Sequence, residues 1–127
     1  MAESNGKKVM IIEDDRFLSS LIKARLEKEG FTLVQAFDGE EAITLVKQEK
    51  PQLIILDLIM PKVTGFEVLE AISLSPDLNH TPIVILSNLA QDSDVAKAKS
   101  LGATDYFVKV RVSIDDVIQK VKTILLG

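Results

Sequence analysis

Cysteine is absent from the 127 residues, which excludes a disulfide framework, a thiol nucleophile and a thiolate metal site. Histidine is almost absent too. The single copy, His80, precedes Thr81-Pro82 and reads as a plain loop residue, so histidine-based catalysis on this chain is not expected and any phosphohistidine would have to come from another protein. No glycine-rich nucleotide loop of the Walker or dinucleotide type occurs. Apolar runs stay far short of the roughly 20 residues that a membrane helix needs, and the start of the chain offers no apolar signal core. A soluble cytoplasmic protein with no membrane contact is the expectation. A basic face is lacking as well: 15 Lys and Arg stand against 19 Asp and Glu, a formal net charge of -4, which argues against direct nucleic-acid binding.

What is present is a regular alternation. Apolar runs of strand length alternate with stretches of helical period, the pattern of repeated βα units around a parallel sheet, and 46% apolar residues suffice for one core. The length fits a single domain. After a tail at residues 1–7, five strands are predicted within residues 8–127, at 8–12, 31–36, 52–57, 83–86 and 105–109. Between them, Phe17, Leu18, Leu21, Ile22 and Leu26 mark the inner face of a first helix that Gly30 stops. Asp38-Gly39-Glu40-Glu41 opens a second with a cap, and Phe66, Val68, Leu69 and Ile72 line a third that ends before Pro76. Residues 87–93 read as polar loop and 95–100 as a short helix closed by Gly102. Ser113 with Asp116 can cap the last helix, where the chain stops, so no output domain is expected to follow.

The ends of the predicted strands carry the chemistry. Strand one runs into Glu13-Asp14-Asp15, strand three into Asp57, strand four into Ser87 and strand five into Lys109. In an open α/β sheet the ligand crevice lies at the carboxyl ends of the strands, so these groups converge although they are far apart in sequence. Each alone has an ordinary role: acids after a strand cap the next helix, Asp57 can cap a turn, Ser87 can be a loop hydroxyl and Lys109 a solvated charge. Their sharing one edge of the sheet favours a site. Crowded carboxylates call for a cation, and hard oxygen ligands without His or Cys select Mg²⁺. A carboxylate held ionised beside the metal can attack phosphorus, with Lys109 and Ser87 aimed at the equatorial oxygens.

At these residues the chain resembles a response-regulator receiver domain over nearly its full length. The resemblance rests on Ile11-Ile12-Glu13-Asp14-Asp15, on Asp57-Leu58-Ile59-Met60-Pro61 through Gly65, on Leu86-Ser87 and on Tyr106-Phe107-Val108-Lys109. It implies a doubly wound flavodoxin-like (βα)5 fold with strand order 2-1-3-4-5, an order that comes with the family and that the apolar pattern alone does not specify. It implies Asp57 as phosphoacceptor and as a Mg²⁺ ligand, Asp14 as a direct Mg²⁺ ligand, Glu13 as a ligand through water and the Ile59 backbone carbonyl as a further ligand. Ser87 and Tyr106 would be the switch residues. The partners implied are a sensor histidine kinase or histidine phosphotransfer protein and a downstream effector.

The resemblance further implies that the domain catalyses its own phosphorylation, with no separate enzyme activity, and that the phosphoryl group draws Ser87 inward so that Tyr106 turns from exposed to buried. An ordinary half-buried edge aromatic is the other reading of Tyr106. A monomer is expected, with dimerisation on phosphorylation left open. Ile59 and Leu89, apolar at positions that border the path of attacking water in this family, imply slow self-dephosphorylation. Two departures stand out. Val110 follows Lys109 where most members have a proline after a cis bond, leaving the path of residues 110–113 open. Val63-Thr64 replaces the more common Met-Asp without removing a catalytic group. A docking module that never carries phosphate is the alternative, opposed by the intact acidic set. A small aspartyl phosphatase is disfavoured because one domain offers no cap, and Asp57-Leu58-Ile59 lacks the second aspartate of the haloacid-dehalogenase type.

Overall fold

In the computed structural model, which describes residues 3–127, five parallel strands form one sheet in the order β2-β1-β3-β4-β5. The strands are β1 (Lys8–Ile12), β2 (Thr32–Ala36), β3 (Leu53–Leu56), β4 (Ile83–Ser87) and β5 (Asp105–Val108). Five α-helices alternate with them: α1 (Arg16–Lys28), α2 (Gly39–Glu49), α3 (Gly65–Ser73), α4 (Asp92–Ser100) and α5 (Ile114–Leu126). The expected doubly wound sheet and its strand order are therefore present.

The three inner strands read as unbroken apolar runs because both of their faces are covered. Successive side chains point to opposite faces, so β1 sends Met10 and Ile12 toward α2, α3 and α4 and sends Val9 and Ile11 toward α1 and α5. Each face has its own core. On one side Ile54, Leu56 and Ile85 pack with Val46, Leu69 and Ile72, and on the other Ile55, Val84 and Leu86 pack with Ile22, Leu26 and Val121. The β1–β3 register pairs Ile12 with Leu56, which brings the residues after these two strands side by side.

Helix starts follow the caps read in the sequence. Asp38 Oδ1 accepts from the Glu41 amide at 2.8 Å, and Ser113 with Asp116 forms a complete capping box on α5. Three expectations change. Phe17 and Leu21 do not lie on the inner face of α1: Phe17 is 80% exposed and Leu21 39%, while Ile22, Leu26 and Ser19 are buried. Residues four apart share a helix face, and Leu18, Ile22 and Leu26 already fill the one that meets the sheet. Helix α4 begins at Asp92, earlier than Val95, because its first turn carries no apolar period and Ala98 alone of its residues is buried. The segment before β1 is tethered, since the Asn5 amide donates to the Gly30 carbonyl at 3.0 Å and Asn5 Nδ2 to the Glu29 carbonyl at 3.3 Å.

No peptide bond among the described residues is cis, so the bond between Lys109 and Val110 is trans. The chain leaves β5 through a short 3-10 turn, Lys109–Arg111, that leaves Val110 80% exposed. That settles the path left open by the missing proline.

Candidate functional site at the carboxyl edge of the sheet

Four of the strand-end residues singled out in the sequence meet. Glu13 leaves β1 buried at 3% exposure, Asp57 leaves β3 at 4%, and Asp14 beside them is exposed. One carboxylate oxygen from each of Glu13, Asp14 and Asp57 lies within 4.8 Å of the others. Lys109 completes the cluster. Its Nζ stands 2.6 Å from Glu13 Oε1 and 2.9 Å from Asp57 Oδ2, so it bridges two carboxylates from two different strands.

Local backbone holds these acids in place. The Ile59 amide donates to Asp57 Oδ1 at 3.1 Å, and the Asp15 amide donates to Glu13 Oε2 at 3.0 Å. Asp15 itself caps α1 by accepting from the Leu18 amide at 3.1 Å. The capping reading of this acidic run thus holds for Asp15, and the convergence reading holds for Glu13 and Asp14.

Charge at the site is unbalanced. Three carboxylates face one ammonium, and burial pushes the Glu13 carboxyl up to about 7 despite the opposing hydrogen bonds from Lys109 and the Asp15 amide. Burial also pulls on Lys109, but its hydrogen bonds to Glu13 and Asp57 outweigh that and hold the ammonium above the ordinary lysine range. A small divalent cation fits this deficit. The donors are all oxygens, and oxygens on opposite sides of a Mg²⁺ ion at 2.0–2.1 Å stand about 4 Å apart, close to the spread seen here.

Ser87 and Tyr106 sit beside this cluster without touching it. Ser87, fully buried, accepts at Oγ from the Leu89 amide at 3.3 Å. Tyr106 is half-buried and its hydroxyl donates to the Leu89 carbonyl at 2.7 Å. Burial, then Asp94 and Asp57, raise its phenol above the ordinary value. Leu89 therefore connects the two residues through its own peptide groups. The Ile59 side chain is 52% exposed at the mouth.

Gly65 is a residue whose part the sequence left unstated. A Cβ there would lie 2.3 Å from the Asp57 carbonyl oxygen and 2.4 Å from Leu58 Cα, so only glycine lets α3 begin against the end of β3. Its amide donates to the Leu58 carbonyl at 3.1 Å and closes the intervening loop. The signal was the lone glycine after Met60-Pro61.

A lysine-bridged acidic cluster at the strand ends of a five-stranded parallel sheet sets the class as a doubly wound, flavodoxin-like protein, and comparison with known proteins narrows it. The response regulator receiver domain family matches residues 9–122, and the chain belongs to that family, the receiver domain of two-component response regulators. Among solved structures it is similar to the chemotaxis protein CheY4 of Vibrio cholerae, with 26% identity, a TM-score of 0.86 and coverage of 98% of this chain and 100% of that one. The receiver domain of the Francisella response regulator 1452 is 32% identical, with a TM-score of 0.83 over 93% of this chain and 95% of that one. Among curated proteins, the alkaline phosphatase synthesis transcriptional regulatory protein PhoP of Bacillus subtilis is 35% identical over 120 residues, 94% of this chain and 49% of that protein. The probable transcriptional regulator ycf27 of Cyanophora paradoxa is 36% identical over 107 residues, 84% of this chain and 44% of that protein. The chain thus spans less than half the length of these relatives. No helix among the described residues is long and apolar enough to cross a membrane.

Proposed function

We propose that Asp57 accepts a phosphoryl group from a histidine kinase or a histidine phosphotransfer protein, and that the modified domain then changes its hold on an effector protein. The observation that carries this reading is the Asp57 carboxylate, buried at the end of β3, grouped with Glu13 and Asp14 and bound by Lys109 at 2.9 Å. Asp14, Glu13, Asp57 and the Ile59 carbonyl are the proposed holders of Mg²⁺, which when bound supplies charge stabilisation at the transferring group. In the transfer an Asp57 oxygen forms the new O–P bond while the P–N bond to the donor imidazole breaks, and the imidazole keeps the electron pair. Lys109 leaves Asp57 to meet the developing charge on the phosphoryl oxygens.

Ser87 ends the neighbouring strand β4 close to that charge, and a phosphoryl oxygen competes for its hydroxyl. Movement of Ser87 releases Leu89 and with it Tyr106, which shifts the population between two states that differ on the face built by α4, β5 and α5. Donor and effector are proteins in this reading, and the acidic balance of -4 supports that over direct nucleic-acid contact. A cytoplasmic setting and a monomeric unmodified form belong to the same proposal. A purely docking role has no use for a buried, lysine-bridged aspartate.

The test is intact-mass measurement after incubation with acetyl phosphate and Mg²⁺. Wild type is expected to gain one phosphoryl group and Asp57→Asn none. Continued labelling of the variant rejects the acceptor assignment, and no labelling of either protein supports the docking role.

A further inference from the structure

The loop between β3 and α3, residues 58–64, carries the Ile59 carbonyl proposed above as a metal ligand. Its two ends are joined by the Gly65 amide on the Leu58 carbonyl at 3.1 Å. What fixes its far side is another element altogether. Gly39, the first residue of α2, is buried, and a Cβ on it would stand 2.3 Å from the Val63 carbonyl oxygen, 2.8 Å from Val63 Cβ and 3.0 Å from the Val63 carbonyl carbon. Contacts under 3 Å with backbone cannot be relieved by a rotamer change, so the backbone of the loop rests directly on the backbone of α2.

Two neighbouring features act at the same place. Lys62 adopts a left-handed backbone at φ 67, a conformation that costs a non-glycine residue energy and persists only where the surroundings enforce it. Its Nζ lies 3.7 Å from Asp38 Oδ2, and Asp38 is the N-cap of α2. The start of α2 is itself rigid, because Asp38 accepts from the Glu41 amide while the Phe37 amide donates to Glu41 Oε1 at 2.7 Å. A rigid abutment meets a strained loop.

We propose that Gly39 is a positioning residue of the metal site: by allowing α2 to seat against Val63, it sets the loop so that the Ile59 carbonyl and the Ile59 amide on Asp57 Oδ1 are both correctly placed. Asp38 and Lys62 form the outer part of the same clamp. The inference rests on the Mg²⁺ reading above, and it assigns work to a helix that supplies no ligand. A side chain at residue 39 lifts the loop, moves the Ile59 carbonyl and weakens cation binding without touching any of the three carboxylates.

Calorimetric titration with MgCl₂ tests this on wild type, Gly39→Ala and Lys62→Gln, with circular dichroism confirming the fold. Gly39→Ala is expected to bind Mg²⁺ at least about fivefold more weakly, and Gln48→Ala, an exposed and uncharged change farther along α2, to bind as wild type does. Lys62→Gln separates positioning from field effects, because loss of a nearby positive charge by itself tightens a cation site, whereas a loosened clamp weakens it. A weaker Kd in Lys62→Gln supports the clamp, and a tighter one opposes it. If Gly39→Ala does not fold, amide spectra of wild type decide: the Gly39 and Val63 signals should shift on Mg²⁺ saturation together with those of Asp14 and Asp57. Wild-type affinity in a folded Gly39→Ala, or an unmoved Gly39 signal in a metal-bound wild type, overturns the proposal while leaving the site intact. Absence of Mg²⁺ binding to wild type removes both readings.

Discussion

The two edges of the sheet are built from the same strands and solve opposite problems. At the amino edge, charges are paired one to one and backbone amides meet neutral side chains: Lys8 Nζ stands 3.0 Å from Glu49 Oε1 and Lys120 Nζ 2.9 Å from Asp105 Oδ2, while Gln52 Oε1 accepts from the Lys8 amide at 2.7 Å and Thr104 Oγ1 from the Ile83 amide at 3.1 Å. At the carboxyl edge, two carboxylates are buried against one ammonium and a third stands beside them. Burying charge costs free energy unless it is paired, so the amino edge is arranged for stability and the carboxyl edge holds an excess of negative charge that a cation can offset.

The largest effect should come from Lys109→Met, which removes the one cation that, among the described residues, touches both Asp57 and Glu13. Phosphorylation by acetyl phosphate is expected to slow by about a hundredfold or more, the scale for deleting one preorganised charge. A rate close to that of wild type would mean that Lys109 is only a structural counter-ion.

Ile59→Asn comes next. It replaces an apolar side chain that cannot orient water with a polar one that can, and the phosphoprotein is expected to decay several-fold faster. An unchanged half-life would show that Ile59 does not guard the path.

A smaller, pH-dependent signature separates the edges in the metal-free protein. Because the folded Glu13 carboxyl is raised to about 7 from its ordinary 4.5, its contribution to stability is complete below about pH 4.5 and is lost as the pH rises through 7. In chelator, Tm measured for wild type minus that for Glu13→Gln should therefore fall across that window. Added Mg²⁺ should flatten the difference, and a difference that rises with pH would reverse the sign assigned to Glu13.

The smallest effect belongs to the amino edge. Gln52→Ala loses one exposed hydrogen bond, so chemical denaturation should show a cost of about 1 kcal/mol or less, with phosphorylation unchanged. A change in phosphorylation rate there would mean that the two edges are coupled through β3.

Much of this was legible in the chain because burial on both faces writes a strand as a continuous apolar run, as in Leu53-Ile54-Ile55-Leu56, and the residue after such a run falls at the ligand edge. The caps of α2 and α5 were legible for the same local reason, since cap and partner lie three residues apart. What could not be read was set by distance in sequence. Phe17 and Leu21 share the helical period of a core face, and only the placement of α1 on the sheet shows that Leu18, Ile22 and Leu26 fill that face. The bridge from Lys109 to Glu13 joins β5 to β1 and has no sequence signal beyond both residues being at strand ends. Gly39 read as part of a cap, and its contact with Val63 arises only when α2 and the loop after β3 are brought together.

Leu89, in the loop after β4, joins two neighbouring strands. Its amide and carbonyl are the two polar ends of one residue, one engaged by a hydroxyl inside the sheet and the other by a phenol on the neighbouring strand. Those two groups lie in different peptide planes hinged at the φ and ψ of Leu89, so a displacement of either partner is shared between rotation at Leu89 and strain in the other hydrogen bond. Under the proposed switch, the anchor of the Tyr106 hydroxyl is therefore the first point on β5 to register a change at Ser87.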